Sequence, residues 1–177
     1  SIDIDNIGDE NNLREYIWKN IVCLGKKSHE YGILSEKVTE AIDKIVFERA
    51  KKFLLGIHED DIDRNIMNLL LSEGIIVRQG DYIRLKYDIY EDICFERYFD
   101  KNFDSCRGMY KDFYEKIENL GRCVYRRYQI WISNKLFIKV NREKFLYSLI
   151  FSDEIPQFWK RQTEIGIVKS RFCNNYF

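Results

Sequence analysis

Proline is almost missing from this chain, with Pro156 the one example in 177 residues. Because proline interrupts helices and stiffens irregular linkers, its scarcity, together with only nine glycines, predicts long helices and few loops. Histidine occurs twice, at His29 and His58. His29 follows Ser28, but adjacent side chains on a helix do not face each other and no third partner is evident, so no nucleophile and general-base pair can be assembled. A glycine-rich loop followed by Lys-Ser/Thr is also lacking, so this chain alone should not hydrolyse a nucleotide. No apolar run approaches the roughly 20 residues of a membrane span, and no signal-peptide layout opens the chain. The expectation is a cytoplasmic protein without a membrane partner and without enzymatic activity of its own.

Five cysteines (Cys23, Cys94, Cys106, Cys123 and Cys173) are scattered with no C-x-x-C pair. Disulfide frameworks and structural zinc sites need closer or paired spacing, so these read as reduced, mostly buried thiols. The cluster His58-Glu59-Asp60-Asp61 carries metal-ligand chemistry in composition only. Its neighbouring side chains diverge, and negative charge ahead of a helix is accounted for by the helix dipole.

Apolar residues make up 45% and charged residues 33% of the chain, a globular composition. Net charge is zero but uneven: residues 1–104 hold 15 Lys+Arg against 22 Asp+Glu, and residues 105–177 hold 14 against 7, giving −7 and +7. Two halves with different and complementary surfaces follow. The chain opens on Ser1 and closes on the aromatic-rich Arg171–Phe177, and reads as a piece of something longer.

Helical spacing marks Leu13–Leu24 through Ile17, Ile21 and Leu24, with Gly25 placed to end it. A polar turn follows. A long helix is expected from Ser35 as its cap, burying Val38, Ile42, Ile45, Val46, Phe53 and Leu54, and closing at Gly56. The next helix, over Asp61–Glu73, buries Ile62, Ile66, Leu69 and Leu70 and ends at Gly74. Two strands follow, IIVR and YIRLKY, around the turn Gln79-Gly80-Asp81, with Ile83, Leu85 and Tyr87 on the apolar face. Asp88 and Glu91 form a variant capping box that opens another helix. Beyond Phe103 only helices are expected, one stripe being Met109, Phe113, Ile117 and Leu120 and the next Tyr128, Trp131, Ile132 and Leu136. A third is capped by Asn141, with Phe145, Leu146, Leu149 and Ile150 inward, and a fourth starts at Ser152 or Asp153 around Pro156.

The fold class is therefore mainly α: a winged helix, with its two-stranded hairpin wing, followed by an α-helical hairpin region. Its parts are an N-terminal lead-in over 1–33, a winged-helix-like domain with its exit helix over 34–103, and a helical arm over 104–177. A winged helix suggests DNA, but the charges argue against sequence-specific binding. Asp61–Glu73 offers Asp61, Asp63 and Glu73 against Arg64, a surface that repels phosphate. A second nucleic-acid surface is Arg122, Tyr125, Arg126 and Arg127, where basic residues interleave with aromatics as in single-strand binders. The competing reading makes Tyr128 and Trp131 core and leaves the arginines as a solvated face or as ion partners.

The run from Tyr82 to Phe99, YIRLKYDIYEDICFERYF, resembles the exit from the winged-helix domain of STAND NTPases. That class includes NOD-like receptors and antiphage sensors of the Avs type. Lys86-Tyr87-Asp88 falls on the family's Phe/Met-x-His-Asp-like motif, with Tyr87 in place of histidine. Phe53-Leu-Leu-Gly56 and Leu69-Leu-Leu-Ser-Glu-Gly74-Ile-Ile look like the preceding winged-helix pattern, so the resemblance spans Ser35–Phe103. It implies a regulatory and coupling fragment that packs on an ATPase core supplied elsewhere in the parent protein, with a protein ligand sensed by the helical arm. It also implies ATP or ADP in the full-length protein, near Tyr87 and Asp88, and no cofactor in this fragment. A tyrosine hydroxyl can donate to phosphate but cannot carry imidazole's charge. The alternative is a nucleic-acid-binding regulator that uses the basic half, Arg122–Lys144.

Overall fold

The computed structural model describes residues 10–24, 27–106, 108–138 and 142–170. The chain is mainly helical, with one small antiparallel sheet, and divides into two compact units, residues 1–94 and 95–177.

In the first unit, α1 (Glu10–Tyr16) continues into a π-helical segment over Ile17–Val22. The wider π turn moves the buried face off the expected stripe: Trp18, Val22, Cys23 and Leu24 are buried, while Ile17 and Ile21 are only half-buried. Gly25 lies outside the described residues. A short α2 (Lys27–Glu30) precedes α3 (Ser35–Lys52). Ser35 does not cap α3 as expected; it is the first helical residue and Leu34 holds the N-cap position without a side-chain bond. Val38, Ile42, Ile45 and Val46 are buried as their spacing requires. The expected end at Gly56 is also corrected. Helix α3 stops at Lys52, and Phe53 adopts the left-handed conformation, its N–H and that of Leu54 reaching back to Arg49 O. Phe53 and Leu54 are therefore outside the helix and exposed, and Gly56 serves another purpose: a Cβ there would lie 2.7 Å from Ile83 O.

That close approach sets up β1 (Ile57–His58), a strand too short for any periodicity to reveal. One 3-10 turn over Glu59–Asp61 follows, then α4 (Arg64–Ser72), which starts later than Asp61 because Asp63 is its N-cap. The Asp63 carboxylate accepts from Asn65 N at 2.9 Å and Ile66 N at 3.1 Å. Gly74, at φ 68°, closes α4 as its position predicts. Strands β2 (Ile76–Gln79) and β3 (Tyr82–Leu85) then pair antiparallel, Ile76 opposite Leu85 and Gln79 opposite Tyr82. Gly80 alone has positive φ in their two-residue turn, the requirement of a type II′ hairpin. Sheet order is β1-β3-β2. Ile83 and Leu85 face the core, but β3 ends before Tyr87, which is half-exposed rather than inward.

Helix α5 (Asp88–Ser105) carries the division between the units. In its first turns Glu91 is buried and accepts from Arg49 Nη2 on α3 at 2.6 Å. The second unit continues with α6 (Tyr110–Glu118), α7 (Val124–Ile138), α8 (Arg142–Ile150) and α9 (Gln157–Lys169). Phe113, Ile117, Leu120, Tyr128, Trp131, Ile132 and Leu136 are all buried as expected, whereas Met109 is an exposed N-cap. Ser152 and Asp153 precede the start of α9, whose N-cap is Pro156; Asn141 lies outside the described residues.

The core of this unit is aromatic. The Phe99 ring meets those of Phe95, Phe113, Tyr128 and Trp131 at 5.7–6.5 Å between centroids, mostly edge-on as ring quadrupoles favour. Each buried indole N–H has an acceptor: Trp131 bonds Asp100 at 2.7 Å and Trp159 bonds Glu118 at 2.6 Å. Gly166 brings α9 onto α7 so closely that a Cβ would stand 2.9 Å from Ile132 Cβ and 3.0 Å from Gln129 O.

Candidate functional site

Three surfaces bear on function, two in the first unit and one in the second. The first is the outer face of α4. Its apolar stripe, Ile66, Met67, Leu69 and Leu70, is buried, which turns Arg64, Asn65, Asn68 and Ser72 to solvent. Asp60, Asp61 and Asp63 are exposed just ahead of it. Two of the neighbouring charges are already engaged: Arg78 on β2 pairs with Glu59 at 2.7 Å and Lys27 with Glu73 at 2.5 Å. Arg64 thus stands against three exposed carboxylates, a poor complement to a phosphate backbone. His58 Nδ1 accepts from Asp60 N at 3.3 Å and caps the 3-10 turn. Among the described residues no group of three or more His, Cys, Asp or Glu is arranged to hold a metal ion.

The second surface is the exit from the sheet. Lys86 and Tyr87 are brought together, the Lys86 ammonium lying 5.2 Å from the centre of the Tyr87 ring, and Tyr87 meets Tyr90 edge-on at 5.4 Å. Burial pushes the Tyr90 hydroxyl above its ordinary value, with Lys86 opposing. Asp88 is exposed at the first position of α5. Lys86, Tyr87 and Asp88 are therefore exposed in succession at this exit, and Glu91, one turn further along α5, is buried and paired with Arg49. Those three exposed residues supply one cation, a phenol hydroxyl and a carboxylate, groups able to orient a polar partner.

The third surface is the start of α7, which separates the four residues of the basic cluster. Arg122 and Arg126 are exposed. Tyr125 packs its ring on Phe158 at 4.8 Å and on Trp159 at 5.6 Å, and Arg127 is half-buried with its guanidinium 4.5 Å from the centre of the Phe95 ring. Stacking capacity is thus spent inside the unit, and two arginines remain as the solvent-facing charge.

Sequence reasoning did not find the exposed apolar side chains that border two grooves. One groove, of about 510 Å³, lies between the 53–56 loop and the hairpin, with Phe53, Leu55 and Tyr82 in its lining. The other, of about 680 Å³, lies between α8 and α9 and is lined by Tyr147, Ile150, Phe151 and Val168 among others. The K-K-F-L-L-G run was the available signal for the first, but its register matched the stripe of α3. No helix of the described residues is long and apolar enough to cross a membrane. Compared with known protein families and with characterised proteins, the chain matches none.

Proposed function

We propose that residues 34–103 form a winged-helix-like domain with its exit helix, and that the chain is a non-catalytic coupling fragment of a STAND-type signalling NTPase. The supporting observation is the order α3, β1, 3-10 turn, α4, β2, β3, with β1 pairing on β3, followed within two residues by α5. That order suits a helix, a short strand, a helical turn, a second helix and a wing. The exposed carboxylates of Asp60, Asp61 and Asp63 just ahead of α4 favour packing against protein over binding DNA. In this reading the module sits on an ATPase core elsewhere in the parent protein, the Lys86-Tyr87-Asp88 corner faces the nucleotide side, and α5 leads into the helical arm that senses a protein ligand. The Arg49–Glu91 pair then holds the first turns of α5 to the module. Coupling needs two arrangements that differ by a few kcal/mol, each favoured by one ligand.

Calorimetric titration of the chain with ATP and with ADP tests this directly. No binding is expected from the chain alone, and tight binding would contradict the assignment. The segment encoded immediately upstream is expected to carry a phosphate-binding loop, and that segment, produced separately, to bind this chain. Fluorescence anisotropy with a labelled single-stranded oligonucleotide at low salt covers the competing possibility. Salt-sensitive binding lost on Arg122→Glu with Arg126→Glu would move the assignment to nucleic acid.

A further inference from the structure

No further inference is drawn: the strongest candidate, the apolar groove between α8 and α9 bordered by the exposed Tyr147 and Phe151, carries nothing because nothing in the structure shows what covers it.

Discussion

Removing the hydroxyl of Tyr128 should cost the second unit more than removing that of Tyr114, although both rings are buried and both hydroxyls belong to one chain of hydrogen bonds. The polarity of that chain is set at one end. Thr163 Oγ1 donates to the Trp159 carbonyl at 3.0 Å, and a carbonyl can only accept. The Tyr128 hydroxyl, 2.8 Å from Thr163 Oγ1, must then be the donor in that contact, and Tyr114, 2.8 Å from the Tyr128 oxygen, must donate to it. Tyr114→Phe removes one bond and leaves every remaining donor served, a loss of about 0.5–1.5 kcal/mol. Tyr128→Phe removes two bonds and takes from the buried Tyr114 proton its acceptor at 2.8 Å, which adds up to about 1–3 kcal/mol for that group. The double variant has no stranded donor, so it should be no less stable than Tyr128→Phe alone, and the two changes should be non-additive by about 1 kcal/mol or more. Urea unfolding read by tryptophan fluorescence is suited to this unit, because Tyr128 lies 4.9 Å from Trp159 and 5.7 Å from Trp131 between ring centroids. Equal losses for the two single variants, or a double variant at their sum, would refute the assigned proton direction.

The same tyrosines predict an alkaline limit. Burial pushes both hydroxyls above the ordinary 10.0, so the native unit binds more protons than the unfolded chain above that pH. Stability should hold below about pH 10 and fall as pH rises beyond it, with a shallower fall for Tyr128→Phe in denaturant melts across that range. Arg49→Ala should destabilise the first unit by about 2–4 kcal/mol, since it leaves the buried Glu91 carboxylate without its guanidinium; Glu91→Gln, which removes the charge itself, should cost less, with both read from urea midpoints. Gly56→Ala should cost about 1–3 kcal/mol because its Cβ meets the Ile83 backbone oxygen. Gly166→Ala should cost less, because alanine returns roughly 1 kcal/mol of helix propensity against the contact with Ile132. Hydrogen exchange should place the first effect in β1 and β3 and the second in α7 and α9.

The parts of the fold that were legible are those where one local signal dominates. The hairpin was readable because Ile83 and Leu85 alternate with Tyr82 and Arg84 around a Gly-Asp turn, and α4 because Ile66, Leu69 and Leu70 keep one face before Gly74. Misreadings arose where two causes share a pattern. Residues 17–24 satisfy a 3.6-residue stripe, but the π segment substitutes Trp18 and Val22 for Ile17 and Ile21. Asp88 and Glu91 have capping-box spacing, yet Glu91 is also the partner of Arg49, forty-two positions away. Contacts of that range leave no periodic trace, and the same holds for the hydroxyl chain, whose members are 14 and 35 residues apart.

The functional surfaces were less legible for a related reason: an apolar residue that packs inside and one that waits for a partner are the same residue in the sequence. Phe53 and Leu54 extend the register of α3, and nothing in their chemistry separates them from Val46. The left-handed turn at Phe53 does separate them, and no glycine announces it. Gly56, three positions later, looks like the helix terminator but is there because the chain passes within contact distance of the Ile83 carbonyl. One glycine required by a strand crossing thus hides a helix end, and with it the exposure of Leu55. The exposure of Phe53, Leu54 and Leu55 follows from how β1 is fitted to β3, a fit that a Cβ at Gly56, 2.7 Å from Ile83 O, would disturb.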